Sequence, residues 1–180
     1  MERNIAHIAL FAALIAALGL VPKFTLAFGV PITAQSMGVM LCGAVLGARR
    51  GALAVLLFLV LVAIGLPLLA GGRGGLGTFA TPSVGFLIGW PVAAFVTGLV
   101  VEKWRGGIGM VATLGALLGG VLVLYVFGVI GMSYMLKKSL FESLMLVTAF
   151  IPGDIVKAFI TGAVTAGLAR SRPSSILSRS

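Results

Sequence analysis

Apolar residues occur along this chain in long blocks rather than at a helical or strand-like alternation with polar ones. The blocks cover about 5–21, 31–48, 52–65, 84–101, 108–131 and 152–170, all but the shorter third block close to the roughly 20 residues that carry a helix across a bilayer. Helices apolar on every side belong in lipid or in the centre of a bundle, so the pattern predicts six transmembrane helices and no soluble domain. The first block follows Arg3 and superficially resembles a secretory leader. It is long for one, and no small-residue cleavage site precedes Lys23, so it is expected to stay as the first helix.

The breaks between blocks carry their own information. Pro31 suits a helix start, with Thr33, Gln35 and Ser36 in the first turn. Arg49, Arg50 and Gly51 read as a tight charged turn, and Trp104 as an interfacial anchor in the turn 102–107. Residues 132–142 read as an outward excursion leading to a short interfacial helix, because the apolar run 140–169 exceeds one span. Residues 67–83 are the most irregular stretch. Gly71, Gly72, Gly74, Gly75 and Gly77 surround Arg73, and such backbone must be wet or lie against protein or ligand. Its apolar Leu76 and Phe79 favour a structured cap over a pocket. The organisation is therefore one membrane domain, 1–170, and a basic polar tail, 171–180, expected to be disordered.

Composition agrees: 60% of the 180 residues are hydrophobic and 9% charged, with a mean hydropathy of +1.21. The net charge of +9 does not signal nucleic acid, since the Lys and Arg residues stand singly or in pairs between apolar runs. They report orientation instead. With both termini cytoplasmic, Arg3, Arg49, Arg50, Lys103, Arg105, Arg170, Arg172 and Arg179 lie inside and Lys23, Arg73, Lys137 and Lys138 outside, as the positive-inside rule requires. The same orientation turns Thr33, Gln35, the Gly-rich segment and Asp154 toward the outer face.

Asp154 and Lys157 stand out, an acid and a base one helical turn apart inside an apolar run. Charges in a membrane mark a candidate functional site. With a helix beginning near Pro152 they lie about 3 to 8 Å below its outer end, where they form either a self-neutralising ion pair or a binding site for a polar ligand. Chemistry of other kinds finds no support. The sequence has one His, one Cys (Cys42, in an apolar helix) and four acids, without a metal-ligand cluster, a nucleophile and base, or a nucleotide-binding Walker motif. An enzyme, a metal site and a bound cofactor are not expected. Ala9, Ala13 and Ala17 form a small-residue stripe on the first helix, suited to packing on the protein's own helices or on a partner.

The ordered set Pro31-Ile32-Thr33-Ala34-Gln35-Ser36, Gly65-Leu66-Pro67 with Ala70-Gly71-Gly72-Arg73-Gly74-Gly75, Thr81-Pro82-Ser83-Val84-Gly85-Phe86, and Asp154 with Lys157 resembles the BioY family over nearly the whole chain. These are biotin-specific S components of energy-coupling-factor (ECF) transporters. The resemblance departs at Ser36, where Thr is usual, and at Pro82-Ser83-Val84-Gly85, where Pro-Thr-Gly-Gly is commoner. It implies an all-α, six-helix S-component fold in the cytoplasmic membrane. The protein would capture biotin outside and work with a transmembrane coupling subunit and two ATPases, with Ala9, Ala13 and Ala17 facing the coupling subunit. Asp154 would accept from a ureido N–H, Lys157 donate to the ureido oxygen and Arg73 meet the carboxylate. Phe79, Phe86 or Tyr125 would lie against the rings, and Thr33, Gln35, Gly72, Gly74 and Ser83 would complete the site. Alternatives are an S component for another vitamin, such as thiamine or riboflavin, and a structural membrane subunit that binds no small molecule.

Overall fold

A computed structural model describes residues 2–179, with side chains from residue 4, so the Arg3 side chain lies outside the described residues. Eight helical segments form six rods: α1 (Glu2–Leu18), α2 (Gln35–Leu46), α3 (Ala48–Ala63), α4 (Val84–Lys103), a rod of α5 (Ile108–Leu117) and α6 (Leu124–Leu136), and a rod of α7 (Leu140–Val147) and α8 (Ile151–Ser171). A π-helical turn, Leu118–Val123, joins α5 to α6, and a 3-10 turn, Thr148–Phe150, joins α7 to α8. The runs Val84–Lys103, Ile108–Leu136 and Leu140–Ser171 are long and apolar enough to cross a membrane, and α1 and α2 are shorter apolar helices.

The bundle is built around α2 and α4. Every residue of α2 from Gly38 to Leu46 is buried, and α4 packs on α2, α3, α5 and α6. Glycine makes that approach possible: a Cβ at Gly43 would strike the backbone of α4 at Ala94, and one at Gly85 the Phe127 carbonyl of α6. The main core joins Ile15, Val39, Phe58, Val62, Leu87 and Trp90 from four helices. The buried hydroxyls of Thr97 and Thr165 are satisfied by backbone carbonyls, donating to Gly115 O at 3.1 Å and to Thr161 O at 2.7 Å.

Four local expectations change. Pro31 starts no helix. It pairs in a two-residue strand, β2 (Pro31–Ile32), with β1 (Phe24–Thr25), the hairpin turning through Gly29 at φ 82°, and α2 begins only at Gln35. The turn between α2 and α3 is Gly47 alone, at φ 88°, where only glycine is comfortable. Arg49 and Arg50 therefore lie in the first turn of α3, and Glu102 Oε1 accepts the Ala48 N–H at 2.8 Å. Met132 is wholly buried within α6, so the outward excursion shrinks to a turn at Lys137 and Lys138, and a Ser139–Glu142 capping box starts α7.

The tail, expected to be disordered from its polar composition, is docked instead. Ile176, Leu177 and Ser178 are buried, and Ser178 Oγ donates to Ala44 O at 2.6 Å. Arg179 donates to Val101 O at 2.9 Å and Trp104 O at 3.0 Å, satisfying carbonyls at the end of α4. Composition does not foresee this, because the acceptors are backbone groups left over by helices distant in sequence.

Candidate functional site

Asp154 and Lys157 occupy the first two turns of α8. That helix is not a free end beneath the surface, since the 3-10 turn couples it to α7. The i,i+3 spacing stacks the two side chains on one face, and that face is turned into the bundle. Lys157 Nζ is 2.8 Å from Asp154 Oδ1. The other carboxylate oxygen accepts from Tyr125 O–H at 2.8 Å, and Lys157 also donates to Ser36 Oγ at 3.0 Å. Asp154 is thereby held from both sides in a fixed orientation, and a third ammonium donor of Lys157 is left for another acceptor.

The pair opens on a cavity of about 50 Å³ whose lining includes Pro31, Thr33, Ser36, Arg73, Phe86 and Trp90. Its apolar side comes from α4, where Phe86, Leu87 and Trp90 share a face, from Val30, Pro31 and Ile32 of the hairpin, and from Phe150 in the turn before α8. Arg73 reaches the cavity from the Gly-rich segment. Its Nε donates to Ala70 O at 3.4 Å, and among the described residues it has no carboxylate within ion-pair distance. Burial lowers its pKa from the ordinary guanidinium value, but an arginine stays a cation. The site thus offers a cation at one border and a fixed acid–base pair at another, with aromatic and aliphatic walls.

Not every expected residue points into this space. Gln35 borders the cavity, but its amide is engaged by the protein. Nε2 donates to Ile15 O at 3.1 Å and Leu68 O at 3.0 Å, and Oε1 accepts the Ala70 N–H at 2.9 Å. It ties α1 and the Gly-rich segment to α2. Thr33 borders the cavity and accepts the Gln35 N–H at 3.3 Å, and Ser83 borders it while sharing a hydrogen bond with Thr81 at 2.8 Å. Tyr125 stands behind Asp154, its ring against a separate outer groove. Phe79 packs on the main core, and Gly72 and Gly74 shape the path of the loop rather than lining the cavity. A bridge between Leu69 and Arg73 gives that loop a fixed turn.

Ser36, Trp90 and Phe150 are among the lining residues that sequence reasoning did not place at the site, together with apolar neighbours such as Val30, Leu69 and Leu87. Phe86 and Trp90, four apart on one helix, gave a usable signal. Phe150 gave none, because its position depends on the turn between α7 and α8.

The Gln35 arrangement yields a stability prediction. In Gln35→Leu the buried Ala70 N–H loses its partner and two carbonyls lose a donor, at a cost of about 2 to 4 kcal/mol. Thermal unfolding in detergent should occur at clearly lower temperature. An unchanged midpoint would mean that the amide is not a structural tie.

Among the described residues, no group of three or more His, Cys, Asp or Glu is placed to hold a metal ion. Residues 2–174 match the BioY family. Over 99% of its length the chain is 55% identical to the whole of a protein of Rhodobacter capsulatus named biotin transporter BioY. It is 52% identical, over 88% of each chain, to a protein of the same name from Rhizobium etli. The fold matches a crystal structure described as the S-component for biotin from an ECF-type ABC transporter, with a TM-score of 0.90 and 32% identity over 97% of this chain and 96% of that one.

Proposed function

This chain belongs to the BioY family, and on that footing we propose that it is the biotin-binding S component of an ECF transporter. The observation that carries the reading is the Asp154–Lys157 pair, fixed by Tyr125 and Ser36 and facing an apolar cavity with Arg73 at another part of its border. Biotin is complementary to that layout. Its ureido group has two N–H donors and a carbonyl acceptor, its bicycle is apolar, and its side chain ends in a carboxylate. Asp154 accepts a ureido N–H, Lys157 donates to the ureido oxygen, Phe86 and Trp90 flank the rings, and Arg73 pairs with the carboxylate. No bond is made or broken, so the protein acts by binding and not as an enzyme.

Ligand pockets usually enclose about 300 to 1,000 Å³, so a cavity of about 50 Å³ corresponds to a contracted site. Biotin enters by displacing the covering segments, the hairpin of β1 and β2 and the Gly-rich loop. The loop is tied to α3 through Gly75 N–H to Val62 O at 2.8 Å, whereas the bond from Leu26 N–H to Val30 O at 3.3 Å lies within the hairpin itself.

The protein lies in the cytoplasmic membrane with both termini inside. Charge asymmetry supports this: Arg50, Arg105 and Arg179 gather in one polar cleft at the end of the bundle opposite the cavity. Its partners are a transmembrane coupling subunit, met through Ala9, Ala13 and Ala17, and two ATPases that supply the energy this chain has no motif to harvest. Calorimetric titration of the detergent-solubilised protein with biotin, thiamine and riboflavin tests the assignment. Saturable binding is expected for biotin alone. Preference for another vitamin, or no binding at all, would overturn it.

A further inference from the structure

A second concave surface lies on the outside of the bundle, between α6 and the rod of α7 and α8. It has a volume of about 830 Å³ and is lined by apolar side chains, including Leu122, Val126, Ile130, Phe141, Leu144 and Ile155. Its one polar wall residue, Tyr125, turns its hydroxyl away to Asp154 and leaves its ring to the groove. From Leu117 to Ile130 the groove follows the α5–α6 rod for about 20 Å, more than the depth of one bilayer leaflet, about half of a 30 Å hydrocarbon core.

Its mouth is basic. Lys137 and Lys138 lie two to four residues before the groove residues Leu140 and Phe141, in a turn fixed by Lys137 at φ 53°, by Lys138 N–H to Ser133 O at 3.1 Å and by Ser133 Oγ to Lys138 O at 2.7 Å. Lys138 pairs with Glu142 at 3.8 Å, whereas Lys137 has no carboxylate partner among the described residues. A partner helix is a poor occupant, because close helix packing in membranes uses small residues and this lining has neither Gly nor Ala. An apolar slot at least one leaflet deep, with Lys137, unpaired among the described residues, in a fixed turn beside its mouth, has the shape and charge that suit a phospholipid carrying a net negative headgroup.

We propose that this groove binds one anionic phospholipid, its acyl chains between α6 and the rod of α7 and α8 and its phosphate at Lys137. The test is native mass spectrometry of the full chain released from nanodiscs of equal phosphatidylglycerol and phosphatidylcholine. Wild-type protein should retain one phosphatidylglycerol in preference to phosphatidylcholine. Lys137→Ala/Lys138→Ala should reduce that retention at least tenfold by removing the charge, and Val126→Trp should do so by filling the slot at a lipid-facing position. Equal retention of both lipids by the wild type, unchanged retention in both variants, or a second copy of the chain in place of lipid would overturn the proposal.

Discussion

The double variant Asp154→Asn/Lys157→Met is expected to keep its fold and lose its ligand, with biotin affinity lowered at least a hundredfold. Charge-assisted hydrogen bonds contribute about 1.5 to 3 kcal/mol each, and a hundredfold loss is about 2.7 kcal/mol, so the loss of two such bonds to the ureido group suffices. The double variant matters because it separates binding from structure. Either single change leaves an awkward remainder: in Lys157→Met the Asp154 carboxylate stays buried with only Tyr125 and Ser36 near it. Breaking a buried pair by removing one partner costs about 3 to 5 kcal/mol, while replacing both partners together is often close to neutral. Thermal midpoints should therefore fall for Lys157→Met and recover in the double variant, whereas calorimetric biotin affinity should not recover. If the double variant regained stability and also bound biotin normally, the pair would be a structural ion pair and nothing more.

The same pair shows how far sequence reasoning reaches. Block length and the punctuation of Pro, Gly and charge place the six rods to within about five residues, except that the sixth gains α7 at its start, because the demand for a satisfied backbone in lipid leaves helices as nearly the only solution. Asp154 and Lys157 are legible as a candidate site for the same reason, since charge in an apolar run needs an explanation. What surrounds them is less legible. Tyr125 meets Asp154 across 29 positions of chain, after a π-helical turn that no local pattern announced. Gln35 carries the same polar signal as Thr33, yet its amide is spent on Ile15, Leu68 and Ala70. A polar residue in an apolar segment announces that it has partners, but only the tertiary structure tells whether they are protein or ligand. The docking of Ile176 to Arg179 was hidden in the same way, since a polar composition does not record acceptors offered by distant helix ends.

Leu at Ala9, Ala13 and Ala17 together is expected to abolish ATP-driven biotin uptake and to leave biotin binding within about twofold of wild type, as for surface changes away from the site. From sequence, the alanine stripe suits internal packing as well as a partner. In the fold all three alanines are exposed, while Ala12 and Ile15 on the opposite side of α1 are buried in the core. The stripe therefore faces out of the bundle, along a helix that packs chiefly on α2 and α3. Helices pack with axes about 8 to 10 Å apart, and the closest approaches in membranes use small residues at four-residue spacing. Three leucines along that line would hold a docking helix away over three turns, while none of them reaches the cavity of Asp154 and Lys157. Uptake should be measured in cells or proteoliposomes containing the coupling subunit and ATPases, and binding in detergent on the purified subunit. Loss of both activities would point to a folding defect, and single Leu variants would then resolve which alanine carries the contact. Uptake that survived in the correctly folded triple variant would move the coupling interface to another face of the bundle.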